Sequence, residues 1–398
     1  MKIRVVAGAG PQPTDLPYVD GLYLASRPRA MLEALAPSRA RGTVARGLAA
    51  AELEGWLEKD FQTGGEAALN SLRDAAQPLA ALLGAQSAYA TLDLLIGQLL
   101  GTRPGQPTSR SAVARRAGMP YDVDRLLLFE TLCAALQDSS GIRRPFDMAP
   151  PETFATMAFF DAYFSNFIEG TEFEVDEARA IVFEQKIPAA RPLDAHDVLG
   201  TFAVVGQPTT MQHSLQHDRT FTDFLARLQA LHARIMAQRT DTRPGQFKME
   251  RNRAGDTRFV DPEYVRGTLK HGYEVVRALA TPFQRAVAIM FVLSEVHPFD
   301  DGNGRVARAF MNAELVAGGE ARVIIPTVYR DDYLTGLRTL SRGGEPRPLI
   351  KVLDFAQRWV AALDWSSLAA AEAAMKATNA FARPSSAVVL RLPAAARA

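Results

Sequence analysis

Two neighbouring stretches of the chain carry its clearest apolar pattern. The run AVAIMFVL, residues 286–293, is apolar on every face, which predicts a helix running through a core rather than along a surface. Its start is spelled out upstream: Thr281 as N-cap, Pro282 at the first helical position, and Gln284 completing a capping box. A second helix is predicted from near Asn303 to just before Gly318-Gly319, a natural C-terminal stop. The polar residues between them form a tight loop that opens onto the second helix's N-terminus. Phe154 to Ile168 reads as another helix, begun at Thr153 and stopped at Gly170. The best strand signal is a hairpin, with Phe247–Asn252 turning through Ala254-Gly255-Asp256 to Arg258–Val260. Strand signals are otherwise few and no solenoid-length repeat is present, so the predicted class is mainly α.

Breakers divide the chain into regions. Residues 1–145 form a helical region interrupted by GTRPGQPTS at 101–109, and RRPFDMAPPET at 143–153 reads as a proline-rich linker. The expected second domain spans 150–365. Residues 366–398 read as an alanine-rich helix ended at Arg383-Pro384, followed by a loose terminus. Within the first region, 111–134 has the outline of a helix-turn-helix. Its second helix, however, is acidic and apolar where a DNA-reading helix is basic.

Composition narrows the classes. The 398 residues carry 45 basic and 44 acidic side chains, a net charge of +1, which argues against bulk electrostatic capture by nucleic acid or anionic lipid. One cysteine, Cys133, forms no internal disulfide and no cysteine-based zinc site, consistent with a reducing, cytoplasmic setting. No secretory signal is visible in 1–10, and the densest apolar run is far below the ~18 residues of a membrane span.

The loop between the two helices reads His-Pro-Phe-Asp-Asp-Gly-Asn-Gly-Arg-Val-Ala-Arg, residues 297–308. Gly302 and Gly304 permit close backbone approach and can turn N–H groups inward around an anion. The helix N-terminus adds unpaired donors. Arg305 and Arg308 stand three apart, so both guanidinium groups can reach one phosphate end. Asp301 offers a hard oxygen to Mg²⁺, and Asn303 can donate to a phosphoryl oxygen. His297 has a pKa suited to general-base work. Each residue alone has an ordinary reading as cap, turn or solvated face; their joint occurrence does not.

This stretch resembles the Fic family motif His-x-Phe-x-Asp/Glu-Gly-Asn-Gly-Arg-x-x-Arg, matching at all eight specified positions. A chance match is on the order of one in 10^10 per starting position. The resemblance covers about 150–360 and implies a helical core with a β-hairpin flap over the site. It also implies transfer of AMP from ATP to a protein hydroxyl. On that pattern His297 is the base and Phe299 anchors the loop. Asp301 holds Mg²⁺; Gly302, Asn303 and Gly304 cradle the α- and β-phosphates, and Arg305 and Arg308 hold the β/γ end. Tyr333 and Leu337 fall where relatives line the adenine pocket.

A second constellation, Ser165-Asn166-Phe167-Ile168-Glu169-Gly170, fits the family's inhibitory motif Ser/Thr-x-x-x-Glu-Gly/Asn, placed N-terminal to the core as in the self-inhibited subclass. Ser165 and Glu169 share one helix face, with Gly170 closing the helix. A glutamate beside Arg308 pairs with the group that would hold the γ-phosphate and repels that phosphate. The resemblance therefore implies an autoinhibited AMP transferase whose partners are ATP and a target protein with a Tyr, Thr or Ser hydroxyl. A homodimer stays open, and no membrane or nucleic-acid partner is expected. Alternatives are transfer of UMP, phosphocholine or phosphate on the same fold, removal of AMP, a toxin held by a separate antitoxin and, from another class, a nucleotide-sensing DNA-binding regulator.

Overall fold

The computed structural model describes residues 9–36, 48–138, 143–148, 150–384 and 387–393. The chain divides into two compact units, 1–123 and 124–398. The division falls about twenty residues before the proline-rich segment taken above as the boundary. The helix Val123–Asp138 explains the offset, since Phe129, Leu132 and Leu136 are buried in the second unit's main core.

The first unit is helical, with helices Arg27–Leu35, Ala50–Leu83, Gln86–Leu99 and Arg110–Arg116, plus a small antiparallel ribbon pairing Leu16–Pro17 with Tyr23–Leu24. Gly65, at φ +66 and ψ −161, breaks the longest helix into two arms. Leucines 53, 57, 69 and 92 with Ile96 fill its core. The two helices of the expected helix-turn-helix fall in different units, Arg110–Arg116 in the first and most of Val123–Asp138 in the second.

The second unit is built around a helical hairpin. Its central helix, Pro282–Val296, begins with the expected capping box: Gln284 N–H donates to Thr281 Oγ1 at 3.3 Å, and Thr281 N–H to Gln284 Oε1 at 3.1 Å. Its run 286–293 is fully buried. The motif helix, Asn303–Ala317, packs beside it. Against this pair lie a flanking helix, Phe221–Ile235, and Val265–Arg277. A lead helix, Pro151–Ile168, packs on the motif helix and on Pro192–Val205. A closing helix, Arg330–Gly343, and its partner Arg347–Ala361 complete the unit.

Four expectations are corrected here. The lead helix starts at Pro151, with Pro150 as N-cap, rather than at Thr153; proline suits the first turn, where its missing N–H would be unpaired anyway. The proline-rich segment is no free linker: Phe146 N–H donates to Gly319 O at 3.0 Å and Ala321 N–H to Arg144 O at 2.9 Å. The alanine-rich tail helix runs only from Leu368 to Ala377, N-capped by Ser367, and packs on the second core; the loose terminus lies partly outside the described residues. The hairpin shrinks to two-residue strands, Arg253–Ala254 and Thr257–Arg258, in register Arg253↔Arg258. Its expected first arm spends its donors elsewhere. Lys248 N–H goes to Pro298 O at 2.9 Å and the Asn252 side-chain Nδ2 to Phe299 O at 3.0 Å, while the Asn252 backbone O still accepts from Phe259 N–H at 3.3 Å across the turn.

Candidate active site

The central helix ends at His297, which adopts a left-handed conformation at φ +51. A following proline disfavours the helical region, so the chain must leave the helix here. The imidazole Nδ1 lies 3.2 Å from Ser294 O; a carbonyl only accepts, so Nδ1 carries the proton and Nε2 keeps its lone pair. The ring stacks on Phe259, centroids 3.7 Å apart and planes 3° apart. Burial pushes the His297 pKa down to about 4, with Lys248 adding to the fall and the Ser294 carbonyl opposing it. The imidazole is therefore neutral at neutral pH.

Beyond it, Phe299 is completely buried and anchors the loop. Asn303 does not reach outward. Its Oδ1 accepts from Phe299 N–H and its Nδ2 donates to Phe299 O, both at 2.9 Å, so the side chain is spent on shaping the loop. What Asn303 offers an anion is its backbone N–H in the helix's first turn. Gly302, the N-cap, sits at φ +73, and a Cβ there would meet Met236 Sδ at 2.6 Å. Asp301 holds an exposed carboxylate at the helix entrance, Oδ1 accepting from Gly302 N–H at 2.7 Å.

The two arginines part company. Arg305 is buried and turned toward Asp197 at 3.1 Å on the helix Pro192–Val205, with Asp301 at 3.5 Å. Arg308 faces the end of the lead helix. Its Nε donates to Ser165 Oγ and its Nη2 to Ser165 O, both at 2.9 Å, and Nη2 also pairs with Glu169 Oε1 at 2.6 Å. Glu169 follows the last helical turn, and Gly170 at φ +92 ends it. The Glu169 carboxylate presses on the motif helix's first turn: a Cβ on Gly304 would lie 2.1 Å from Glu169 Oε1. The acid thus occupies the point where that helix presents its positive end.

His297, Gly304, Arg308, Glu169, Tyr333 and Leu337 line one cleft of about 630 Å³, with the hairpin residues 254–257 on its rim. Tyr333 is buried, its hydroxyl 3.3 Å from Met290 Sδ, while Leu337 lies one turn further along the closing helix. The sequence reading missed Phe259, which covers the base, and Arg330, whose Nε caps Ile168 O at 3.1 Å and which also lines the cleft. It also missed Asp197, which turns Arg305 away, and His232, which stacks on Phe299. Phe259 falls within the expected hairpin arm Arg258–Val260, but local spacing carried no signal for its contact with His297 or for the contacts of the other three.

With this geometry in place, comparison with known proteins is informative. Residues 221–315 match the Fic/DOC family profile. That segment is similar to a Fic domain. The Fic match begins at the flanking helix and ends within the motif helix, so it contains the whole 297–308 loop and the hairpin. Protein adenylyltransferase fic-1 of Caenorhabditis elegans is 27% identical over 242 residues, 58% of this chain and 45% of that protein. Protein adenylyltransferase Fic of Drosophila melanogaster is 27% identical over 240 residues, 55% of this chain and 43% of that protein. The chain thus aligns with somewhat under half the length of these relatives. Fic-1 from C. elegans is also a structural neighbour, with TM-score 0.45, 19% identity, 82% of this chain covered and 98% of that chain.

Proposed function

We propose that this chain is an autoinhibited protein AMP transferase, moving AMP from ATP to a Tyr, Thr or Ser hydroxyl of a target protein. The observation that carries the reading is the pairing of a neutral His297, Nε2 free, with a helix N-terminus only five residues further on. A target hydroxyl approaching Nε2 loses its proton to the imidazole as its oxygen attacks the α-phosphorus; the phosphoester bond to the target forms and pyrophosphate leaves. The Gly302–Gly304 backbone and the helix dipole meet the phosphate charge. Tyr333 and Leu337 would flank the adenine. Relatives named protein adenylyltransferase support the same reaction.

Asp301 fits a role as metal ligand: one exposed carboxylate at the entrance of the anion site suits Mg²⁺, which takes few protein ligands when phosphates supply the others. Bound there, Mg²⁺ would neutralise phosphate charge. Glu169 supplies the inhibition. Its carboxylate occupies the anion site and ties up Arg308, so a γ-phosphate is repelled and the α-phosphate is set out of line for attack.

The test is labelling with α-³²P ATP, GTP, CTP and UTP in lysate, comparing wild type, Glu169→Gly, and Glu169→Gly with His297→Ala. Labelling that rises in the first variant, from ATP above the other nucleotides, and vanishes in the second is expected. Labelling that survives loss of His297 would overturn the mechanism.

A further inference from the structure

Outside the motif, the His232 side chain bonds both to the 297–308 loop and to the segment leading into the hairpin. His232 lies on the flanking helix and is completely buried. Its Nε2 is 2.8 Å from Asp301 O, and since a carbonyl only accepts, Nε2 carries the proton. Nδ1 is then an acceptor and takes the Gly245 N–H at 2.9 Å. The ring lies flat on Phe299, 3.6 Å between centroids and 5° between planes. A ring that donates at Nε2 and accepts at Nδ1 is the neutral tautomer.

The same helix grips Gly245 a second time, through Gln229 Nε2 donating to Gly245 O at 2.8 Å. Gly245 sits at φ +79, and a Cβ there would press on Ala233 Cβ and Gln229 O at 3.0 Å, so the contact needs glycine. Three residues on, Lys248 donates to carbonyls on both sides of His297. Its N–H reaches Pro298 O at 2.9 Å and its Nζ reaches Val296 O at 3.3 Å. A shift at Gly245 is therefore passed within three residues to the backbone that aims the base.

We propose that His232 is a positioning residue that locks the root of the hairpin to the catalytic loop, one ring nitrogen holding each, so that hairpin and base move as one unit. The proposal rests on the transferase reading above. It assigns His232 no contact with substrate. It predicts that the two ends of the imidazole have separable effects, which a merely space-filling ring would not show.

Two amide substitutions separate the ends. In His232→Gln the side-chain amide nitrogen reaches about where Nε2 was, keeping the donor to Asp301 O and losing the acceptor for Gly245. In His232→Asn the amide oxygen stands near Nδ1, keeping Gly245 and releasing Asp301. Both are made in the Glu169→Gly background. Readouts are self-labelling from α-³²P ATP, Kd for Mg-ATP, and amide exchange of the peptide 240–248. His232→Gln is expected to raise exchange in that peptide and slow labelling about tenfold, with Kd within about twofold, since a sub-ångström misplacement of the base affects the chemical step. His232→Asn is expected to keep the exchange and weaken Mg-ATP binding several-fold. Gln229→Met, which removes the other hold on Gly245 and leaves the ring's bond in place, should raise exchange in the same peptide with Kd unchanged, and the asparagine variant decides the ring's role if the glutamine variant does not fold. The proposal is overturned if both amide variants lose labelling and binding in parallel, or if neither changes exchange, Kd or labelling by more than about twofold. If the Glu169→Gly parent does not label at all, the transferase reading fails, while exchange and Kd still decide what His232 holds.

Discussion

Arg308 is the residue on which the proposed regulation turns. It is almost fully buried yet fully engaged, with both its nitrogen donors in use directed at the lead helix's end. Removing Glu169 releases one charge-assisted contact worth ~1.5–3 kcal/mol, which implies about ten- to hundredfold faster labelling. Adding Arg308→Ala to Glu169→Gly should erase that gain, because the two side chains act through one contact and their effects will not add. Equal gains with and without Arg308 would show that the carboxylate acts by some other route. His297 carries a second expectation at this scale. Burial disfavours its charged form, so the neutral base is fully present above about pH 5 and is lost only as pH falls through about 4. Glu169 is among the groups holding that pKa up, so its removal moves the acid limb lower still. The pH–rate profile of Glu169→Gly should stay flat across pH 6.5, where a free imidazole would titrate; a midpoint there would mean an exposed base.

At the scale of elements, the lead helix is part of the core rather than an appended inhibitor. Asp161, on its buried face, accepts from Asn312 Nδ2 at 2.9 Å and Arg322 Nη1 at 3.0 Å. Arg322 is fully buried and also donates to Val205 O at 3.0 Å. Phe159, Phe160 and Phe164 fill a second core on the helix's other side. Asp161→Ala would leave a buried guanidinium without its counter-charge, at a cost of about 3–5 kcal/mol. Glu169 is about one-third exposed and Arg308 keeps its two bonds to Ser165, so Glu169→Gly should lower the melting temperature less than Asp161→Ala does. Thermal melts of the two variants check the contrast. Near-equal melting would remove the argument that only the last turn of this helix is free to give way. The hairpin carries the complementary lesson. A Gly-Asp turn between polar arms was readable in the sequence. That the Lys248 N–H and the Asn252 side chain would bond to Pro298 O and Phe299 O was not, because those acceptors are distant in sequence.

For the whole molecule, every residue of the candidate site lies in the second unit, which also buries the helix Val123–Asp138. A chain beginning at Asp124 is expected to melt as one cooperative transition and, with Glu169→Gly, to self-label at a rate within about threefold of the full-length variant. Loss of labelling with the melt intact would assign the first unit a part in the reaction.

What the sequence determined by itself follows from interactions that act within one or two turns. The capping box at Thr281, the glycine stop after Ala317, the all-round apolar run 286–293 and the identity of the 297–308 loop depend on residues a few positions apart. They could therefore be read in one dimension. The end of the helix at His297 follows the same rule, since Pro298 disfavours the helical region for the residue before it. Tertiary structure decided the rest. Glu169 meets Arg308 across 139 residues, and Ser165 meets it across 143. The separation of Arg305 from Arg308 is of the same kind. Three residues apart on a helix, they could share one phosphate, but Asp197, approaching from another helix, draws Arg305 into a buried pair. Spacing shows which groups can reach one another; only packing, by bringing distant charges into a dry interior where an unpaired one is costly, decides which of them do.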